Sequence, residues 1–407
     1  MYLNNCFILI IKKYILIFFF KLLLFESANN NFEQKLSRFN RHHGRNIKNN
    51  DIPALIKSIK KYIELIHKQT PNSIHYENKF IQPKISFIST VLNKEHYLNS
   101  LIISVQKQIL QEFEIIFIDD FSSDNSVKII NEYIENDKRI LLIKNKKNKG
   151  TLYSRSQGAL HSKGEYIIFI DSDDMILKNG IFNSYNYIKK NNLSIVQFNT
   201  IFKRNETMYL SNRYFRYKDI IKQPFLSYVF YYNEKTKRGD ELNTALWDKL
   251  INRDLAIKSI NFIGNNYLNE KIKIENDVIL LFSLFRNADS YQYINQIGYY
   301  YIRSHNDSIT NTWKEPKIAR LIIRGLFTNI KFLYEKTGNT YLDKLFCIFK
   351  LQQSFKRYIV SFSEAKKEYT YVKSVINLLL SSQYISISDK IIISNIEISI
   401  TNLINMT

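Results

Sequence analysis

A chain of 407 residues, 45% hydrophobic and 23% charged, can bury a core, which excludes a disordered chain; it has room for one large domain with accessory segments or two ordinary domains. Its 58 Lys and Arg against 37 Asp and Glu leave a net charge of +21, a field that favours phosphate-bearing substrates, but the lysines are scattered, no RNA- or DNA-binding motif accompanies them, and nucleic acid is not expected as a partner. The two cysteines, Cys6 and Cys347, exclude a disulfide framework.

The first element is an apolar stretch from Phe7 to Phe25, interrupted by Lys12, Lys13 and Lys21. Three lysines at mid-membrane nearly cancel the insertion free energy of the apolar residues, and the uninterrupted part, Tyr14 to Phe20, is too short to span. With Glu26-Ser27-Ala28 behind it, residues 1–28 read as a signal peptide or membrane anchor. That implies membrane association and a place in the membrane or lumen of the secretory pathway, with the cytoplasmic face as the alternative. Residues 29–83 read as a polar, Asn-rich stem holding one helix, Ile52 to His67, with an apolar stripe at Leu55, Ile56, Ile59, Ile63 and Ile66.

From Ile85 the pattern changes. Ile85–Leu92, Phe113–Asp119, Ile140–Lys144 and Tyr166–Asp171 read as buried strands, and Leu98–Leu110, Ser126–Glu135 and Leu152–His161 as the helices between them. This alternation predicts β-α-β units, a mostly parallel sheet and ligands at the carboxyl ends of its strands. Leu193–Lys203 reads as a further strand, Asp277–Phe285 as a helix, Tyr291–Arg303 as a strand pair or extended segment, and the chain beyond Pro316 as largely helical. Phe225–Leu255 carries no readable period.

Two acidic clusters fall at strand ends: Asp119-Asp120-Phe121-Ser122-Ser123-Asp124 after the second strand, and Asp171-Ser172-Asp173-Asp174 after the fourth. Asp124 or Ser126 could simply cap the next helix. Asp171 and Asp173 offer hard oxygen ligands for Mg2+ or Mn2+, which complete their shells with water and phosphate. Asp119 and Asp120, as acceptors, suit a ribose hydroxyl or a base N–H. Between the clusters, Gly150 at a helix start with Arg155 one turn in suggests a diphosphate cradle.

The ordered runs KISFISTVLNKEHYLNSLIISVQKQ, FEIIFIDDFSSDNS and NKGTLYSRSQGALHSKGEYIIFIDSDD resemble the family 2 glycosyltransferases, inverting enzymes of the GT-A fold. The likeness continues more weakly through LWDKLINRDL, ENDVILLFSLFRNADSYQYI and YYYIRSHNDSIT. It implies an α/β, GT-A (Rossmann-like), mostly parallel sheet flanked by helices over residues 84–310, with a helical C-terminal region over 311–407. It further implies that Thr90, Val91, Asn93 and Glu95 line a nucleoside pocket with Asp119 and Asp120 near base and ribose. Asp171 and Asp173 would form the D-x-D motif, with Asp173 the closer metal ligand. Asp277 would be the catalytic base, and Trp247 and Lys249 would lie near the donor or acceptor.

Several positions depart from the family pattern. Thr90 replaces the usual Pro, Leu92 the usual Tyr, and the Glu-Asp pair reads Glu275-Asn276-Asp277, so a shifted register would make Glu275 the base. The expected activity is non-processive: the Gln-x-x-Arg-Trp signature of processive synthases is absent, with Trp247 and Trp313 the only tryptophans. A sugar would pass from a UDP- or GDP-sugar to a glycan, lipid or protein hydroxyl. The competing readings are a catalytically inactive sugar- or nucleotide-binding subunit and a basic, membrane-tethered polyanion-binding protein. Sequons at Asn192, Asn205, Asn306 and Asn405 decide nothing.

Overall fold

The computed structural model describes residues 52–68, 82–204, 207–210, 221–222, 245–270, 272, 276–302, 316–336, 368–381, 390–391, 393–398 and 401. The apolar N-terminal segment, Glu275, Trp313 and the sequons at Asn205, Asn306 and Asn405 lie outside them. Among the described residues, no helix is long and apolar enough to cross a membrane.

Strands β1 (Ile85–Val91), β2 (Phe113–Asp119), β3 (Ile140–Lys144) and β4 (Tyr166–Asp171) alternate with helices α2 (Glu95–Gln106), α3 (Ser126–Asn136) and α4 (Thr151–His161), as the periodicity predicts. They are preceded by α1 (Ile52–His67) and followed by β5 (Met175–Ile176), α5 (Gly180–Asn191), β6 (Ile195–Arg204), β7 (Thr207–Leu210) and β8 (Ile221–Lys222). Then come β9 (Lys249–Asn252), α6 (Arg253–Ile263), α7 (Asn265–Leu268), α8 (Asn276–Asn287), the long β10 (Ser290–Ile302), α9 (Pro316–Lys336) and α10 (Tyr369–Leu380). One sheet runs β3-β2-β1-β4-β9-β6-β10-β5, with β7 on β6 and β8 on β10. The β3-β2-β1-β4 part is parallel, and β6 is parallel to β10. Strand β9 runs antiparallel between β4 and β6 and joins the two parts.

Alternate residues of each strand face opposite sides of a sheet, and the core divides accordingly. Phe87, Ile115, Phe117, Ile168 and Ile170 pack with Leu98, Leu101, Ile102 and Val105 of α2. Ile88, Ile116, Ile118, Ile167 and Phe169 pack on the other side with α4, α6 and α8. Both sides are covered, so the central strands are apolar throughout, and β2 is buried at every position. Helix α1 belongs to this core: Ile59, Ile63 and Ile66 are buried with the α2 side chains. The segment read as a stem therefore contributes a docked helix. Among the helices beyond Pro316, α9 places Phe332 and Leu333 against the α6–α8 layer and Phe327 and Ile330 against α10.

The order β3-β2-β1-β4 reverses between β1 and β4, and a crevice opens at the carboxyl ends of the strands flanking such a reversal. The register brings the relevant ends level there. Val91 pairs with Asp119, and Thr90 with Asp171.

Helix α2 starts at Glu95 and ends at Gln106, three residues earlier at its start and four at its end than the periodicity indicates. Its entry is fixed from another loop. The Glu95 amide donates to Asp124 Oδ2 at 3.0 Å and the Lys94 amide to Ser126 Oγ at 2.8 Å. Leu110 extends the apolar stripe as a buried residue beyond the helix.

Gly158 lets α4 lie close on the sheet. A Cβ there would collide with Ile88 Cγ2 and would stand 2.6 Å from Ile118 Cδ1. Gly158→Ala is therefore expected to destabilise the fold by about 1–3 kcal/mol. It should also lower activity, because α4 carries Arg155. Chemical denaturation together with a transfer assay checks both.

Candidate active site

The loops after β1 and β2 are stapled together. Asn93, in the left-handed region with φ 53°, donates its amide to Ser122 Oγ at 3.0 Å and accepts the Ser123 amide on Oδ1 at 2.8 Å. Glu95 Oε2 accepts from the Asn125 amide at 2.9 Å and from Asn125 Nδ2 at 2.8 Å. Thr90 is half-buried and Val91 buried at the end of β1. The predicted nucleoside-pocket residues thus converge on one rim, with Asn93 and Glu95 bracing it.

Asp119 accepts the Ser122 amide at 3.2 Å. Asp120 is more fully engaged. Its Oδ1 accepts from Asn145 Nδ2 at 2.9 Å and the Lys149 amide at 2.7 Å, and its Oδ2 from the Gly150 amide at 2.8 Å. Lys149 and Gly150 spend their amides on Asp120, which ties the end of β2 to the helix entrance.

Arg155 is likewise turned inward. It is 6% exposed. Its Nη2 donates to Asp171 Oδ1 at 2.8 Å, and its Nη1 to Asn276 Oδ1 at 2.9 Å and to Asp277 Oδ1. One planar guanidinium therefore bridges a carboxylate at the end of β4 and another in the first turn of α8, positions 106 residues apart in the sequence. Both carboxylates keep part of their surface open, Asp171 31% and Asp277 28%.

Asp173 pairs with Lys94 Nζ at 2.9 Å. Asp174 turns into the protein, where it accepts from Tyr299 OH at 2.9 Å and the Ile302 amide at 2.9 Å. Tyr299 OH also accepts the Asp171 amide at 3.1 Å. Trp247 stacks on Tyr299 at 4.7 Å and on Tyr301 at 5.3 Å. The W-x-K-L element therefore forms the wall behind the acidic cluster. Lys249, fully buried, donates to Asp248 Oδ1 and to the Ala245 carbonyl, both at 2.7 Å.

Sequence reasoning did not single out Lys94, Asn145, Asp174 or Tyr299. The third Asp of the Asp171–Asp174 run and the Tyr299-Tyr300-Tyr301 run were the available signals, but a long-range hydrogen bond leaves no local period.

Burial pushes the Asp171 carboxyl up to about 6, and the charges of Asp277 and Asp173 add to this against the pull of Arg155. Burial raises Asp174 as well, again reinforced by Asp173 and Asp171. An acid whose folded value lies above its unfolded value holds its proton more tightly in the fold, so its contribution to stability falls as pH rises through that interval. For Asp171 the interval runs from the ordinary 3.8 to about 6. The melting temperature of Asp171→Asn minus that of wild type, in chelator-containing buffer, should increase from pH 4 to pH 6.5. A constant difference would mean that the Asp171 proton is not held this way.

This crowding bears on a cation. Asp171, Asp173, Asp174 and Asp277 are drawn together, and Arg155 and Lys94 supply countercharge. Hard oxygen donors with negative charge to spare suit a small divalent ion. Among the described residues no group of three or more His, Cys, Asp or Glu forms a metal cage. Magnesium-type sites need only one or two carboxylates, with phosphate and water completing the shell. The carboxylates of Asp171 and Asp173 have the chemistry that such an ion takes.

A mixed, mostly parallel sheet covered by helices, with an acidic cluster at the strand-order reversal, defines a doubly wound α/β domain. A family model described as "Glycosyl transferase family 2" matches residues 86–254. An uncharacterized glycosyltransferase of Haemophilus influenzae is 40% identical over 120 residues, 30% of this chain and 48% of its own length. The cholesterol galactosyltransferase of Borreliella burgdorferi is 29% identical over 295 residues, 70% of this chain and 78% of its own length. The chain thus spans about half the length of the first relative and more of the second. A crystal structure of S. aureus TarS 1-349 aligns over 78% of this chain and 91% of its own, at 16% identity and a TM-score of 0.44, too distant a likeness to carry an argument. Over residues 86–254 the chain is similar to glycosyl transferase family 2.

Proposed function

We propose that the protein is a non-processive, inverting glycosyltransferase that moves a sugar from a nucleoside-diphosphate donor to a hydroxyl on a glycan, lipid or protein acceptor. The observation that carries this reading is the convergence of Asp171 and Asp277 on Arg155 at the strand-order reversal. A metal-side carboxylate and a carboxylate able to take a proton are held a guanidinium's width apart, both partly open to the crevice.

In this mechanism the nucleoside lies along the stapled loops, with Asp119 near its base and Asp120 holding the end of β2 to the start of α4. Asp171 and Asp173 would hold a Mn2+ or Mg2+ ion, which would supply neutralising charge for the leaving diphosphate. Asp277, oriented by Arg155, takes the proton of the acceptor hydroxyl. The new oxygen–carbon bond forms at the anomeric carbon on the face opposite the nucleotide. The bond from that carbon to the diphosphate breaks, the nucleoside diphosphate leaves with the electron pair, and the configuration inverts. A positioned carboxylate base contributes ~10²–10⁴-fold. Lys94 pairs with Asp173 at 2.9 Å and holds its carboxylate in place.

The N-terminal apolar segment, as a leader or anchor, assigns the reaction to the membrane or lumen of a secretory pathway. The cytoplasmic face is the alternative, and the bacterial relatives favour it.

The test is titration of the full chain with UDP and GDP, with and without manganese, for wild type and Asp173→Asn. Manganese-dependent binding of one nucleotide, lost in the variant, is the expected result. Binding that ignores both manganese and the substitution would remove Asp173 from the donor site. Nucleotide binding without any transfer to a panel of acceptors would favour the inactive-subunit reading.

A further inference from the structure

Phe121 follows Asp119 and Asp120 directly, and both its backbone and its surroundings argue against an apolar side chain. Its φ is 77°, in the left-handed region that glycine enters freely and bulky residues avoid. Phe121 as a whole is 60% exposed, so no core packing offsets that strain. A position where local preference is overridden twice is one where the side chain is kept for a contact with something outside the fold.

The backbone beneath Phe121 is pinned on both sides. The Asp120 amide donates to the Val91 carbonyl at 2.8 Å, one step beyond the Val91–Asp119 pair. On the other side, Ser122 and Ser123 bond to Asn93. The ring therefore stands on a fixed support at the lip of the crevice. Leu92, on the facing loop, is 42% exposed and gives a second apolar surface. The Asp119 carboxylate lies at the base of the same loop.

We propose that Phe121 is an aromatic platform on which the nucleobase of the donor stacks, a deepening that rests on the nucleotide-sugar reading of this site. A nucleobase presents both features the site matches: a flat π-face for the ring and an edge N–H for a carboxylate. Stacking on a rigid aromatic also costs little ordering entropy. The polar loop residues around it, Asn93 and Ser122, spend their groups on each other, which leaves the ring as the principal contact this lip offers.

The experiment is calorimetric titration of the full chain with UDP, GDP and inorganic pyrophosphate, each with manganese, for wild type, Phe121→Ala, Phe121→Gly and Phe121→Trp. Base–aromatic stacking corresponds to a loss of about 5–100-fold in nucleotide affinity for Phe121→Ala, while Phe121→Trp stays near wild type. Pyrophosphate, which lacks a base, should bind all four proteins alike. Phe121→Gly should lose affinity as the Ala variant does yet melt at a higher temperature, because glycine relaxes the left-handed φ; weaker binding then cannot be a folding defect. Wild type binding a nucleotide that Phe121→Ala binds equally well would overturn the platform and leave the donor site standing, as would an equal loss of pyrophosphate. Wild type binding neither nucleotide would overturn the donor reading and the platform with it.

Discussion

Asp277→Asn is expected to lower the rate of sugar transfer by ~10²–10⁴-fold while leaving nucleotide affinity within a few-fold of wild type. The substitution is conservative in shape. An Asn side chain can still accept from Arg155 Nη1 through its carbonyl oxygen, so the brace between α4 and α8 survives. What it cannot do is take a proton at neutral pH. Asp277 lies in the first turn of α8, and 28% of its side chain remains open, so an acceptor hydroxyl can reach it without disturbing the Arg155 contact. Single-turnover transfer and calorimetric nucleotide binding, measured on the same preparation, separate the two effects. An unchanged rate would sink Asp277 as the base and direct attention to Glu275 through Glu275→Gln. A rate loss matched by an equal loss of nucleotide affinity would make Asp277 a binding residue instead.

Much of the fold was legible because it obeys local rules. Strands β1 to β4 announce themselves as apolar runs ended by Asp or by a polar turn, and their alternation with amphipathic stretches implies the parallel sheet. Strand β9 was not legible. Its Lys249-Leu250-Ile251-Asn252 is too short to show a period, and its place between β4 and β6 depends on pairing with strands far away in sequence. The same division holds for the site. Asp119, Asp171 and Asp173 were visible because a strand-end rule points at them. Some of the partners that fix them lie far along the chain, as with Lys94 on Asp173, 79 positions away, and Tyr299 on Asp171, 128 positions away. Arg155 was visible as a residue, but its bonds to Asp171, Asn276 and Asp277 were not, because helix periodicity tells which face a side chain occupies and not what waits on the other side of the sheet end.

Arg155→Met should destabilise the fold by about 3–5 kcal/mol, the usual cost of removing one partner from a buried ionic cluster. For a domain of this size, that corresponds to a fall in melting temperature of roughly 6–20 °C. The loss comes less from the missing attraction than from what is left behind. Asp171 and Asp277 would face each other across an apolar stem, with Asp173 nearby. Arg155→Lys should recover only part of the stability, since a single ammonium cannot reproduce the planar fork that serves both carboxylates. Adding Asp171→Asn to Arg155→Met should return some of it by removing one of the opposed charges, so the double-mutant cycle should show strong coupling. Strictly additive losses would mean that the guanidinium does not balance these carboxylates. Manganese provides the sharper discrimination. If Asp171 and Asp173 hold a divalent ion, the ion supplies the charge that Arg155 no longer provides, and millimolar manganese should raise the melting temperature of Arg155→Met more than that of wild type. Equal shifts in the two proteins would separate the Arg155 brace from the metal site and make it a purely structural tie between α4, β4 and α8.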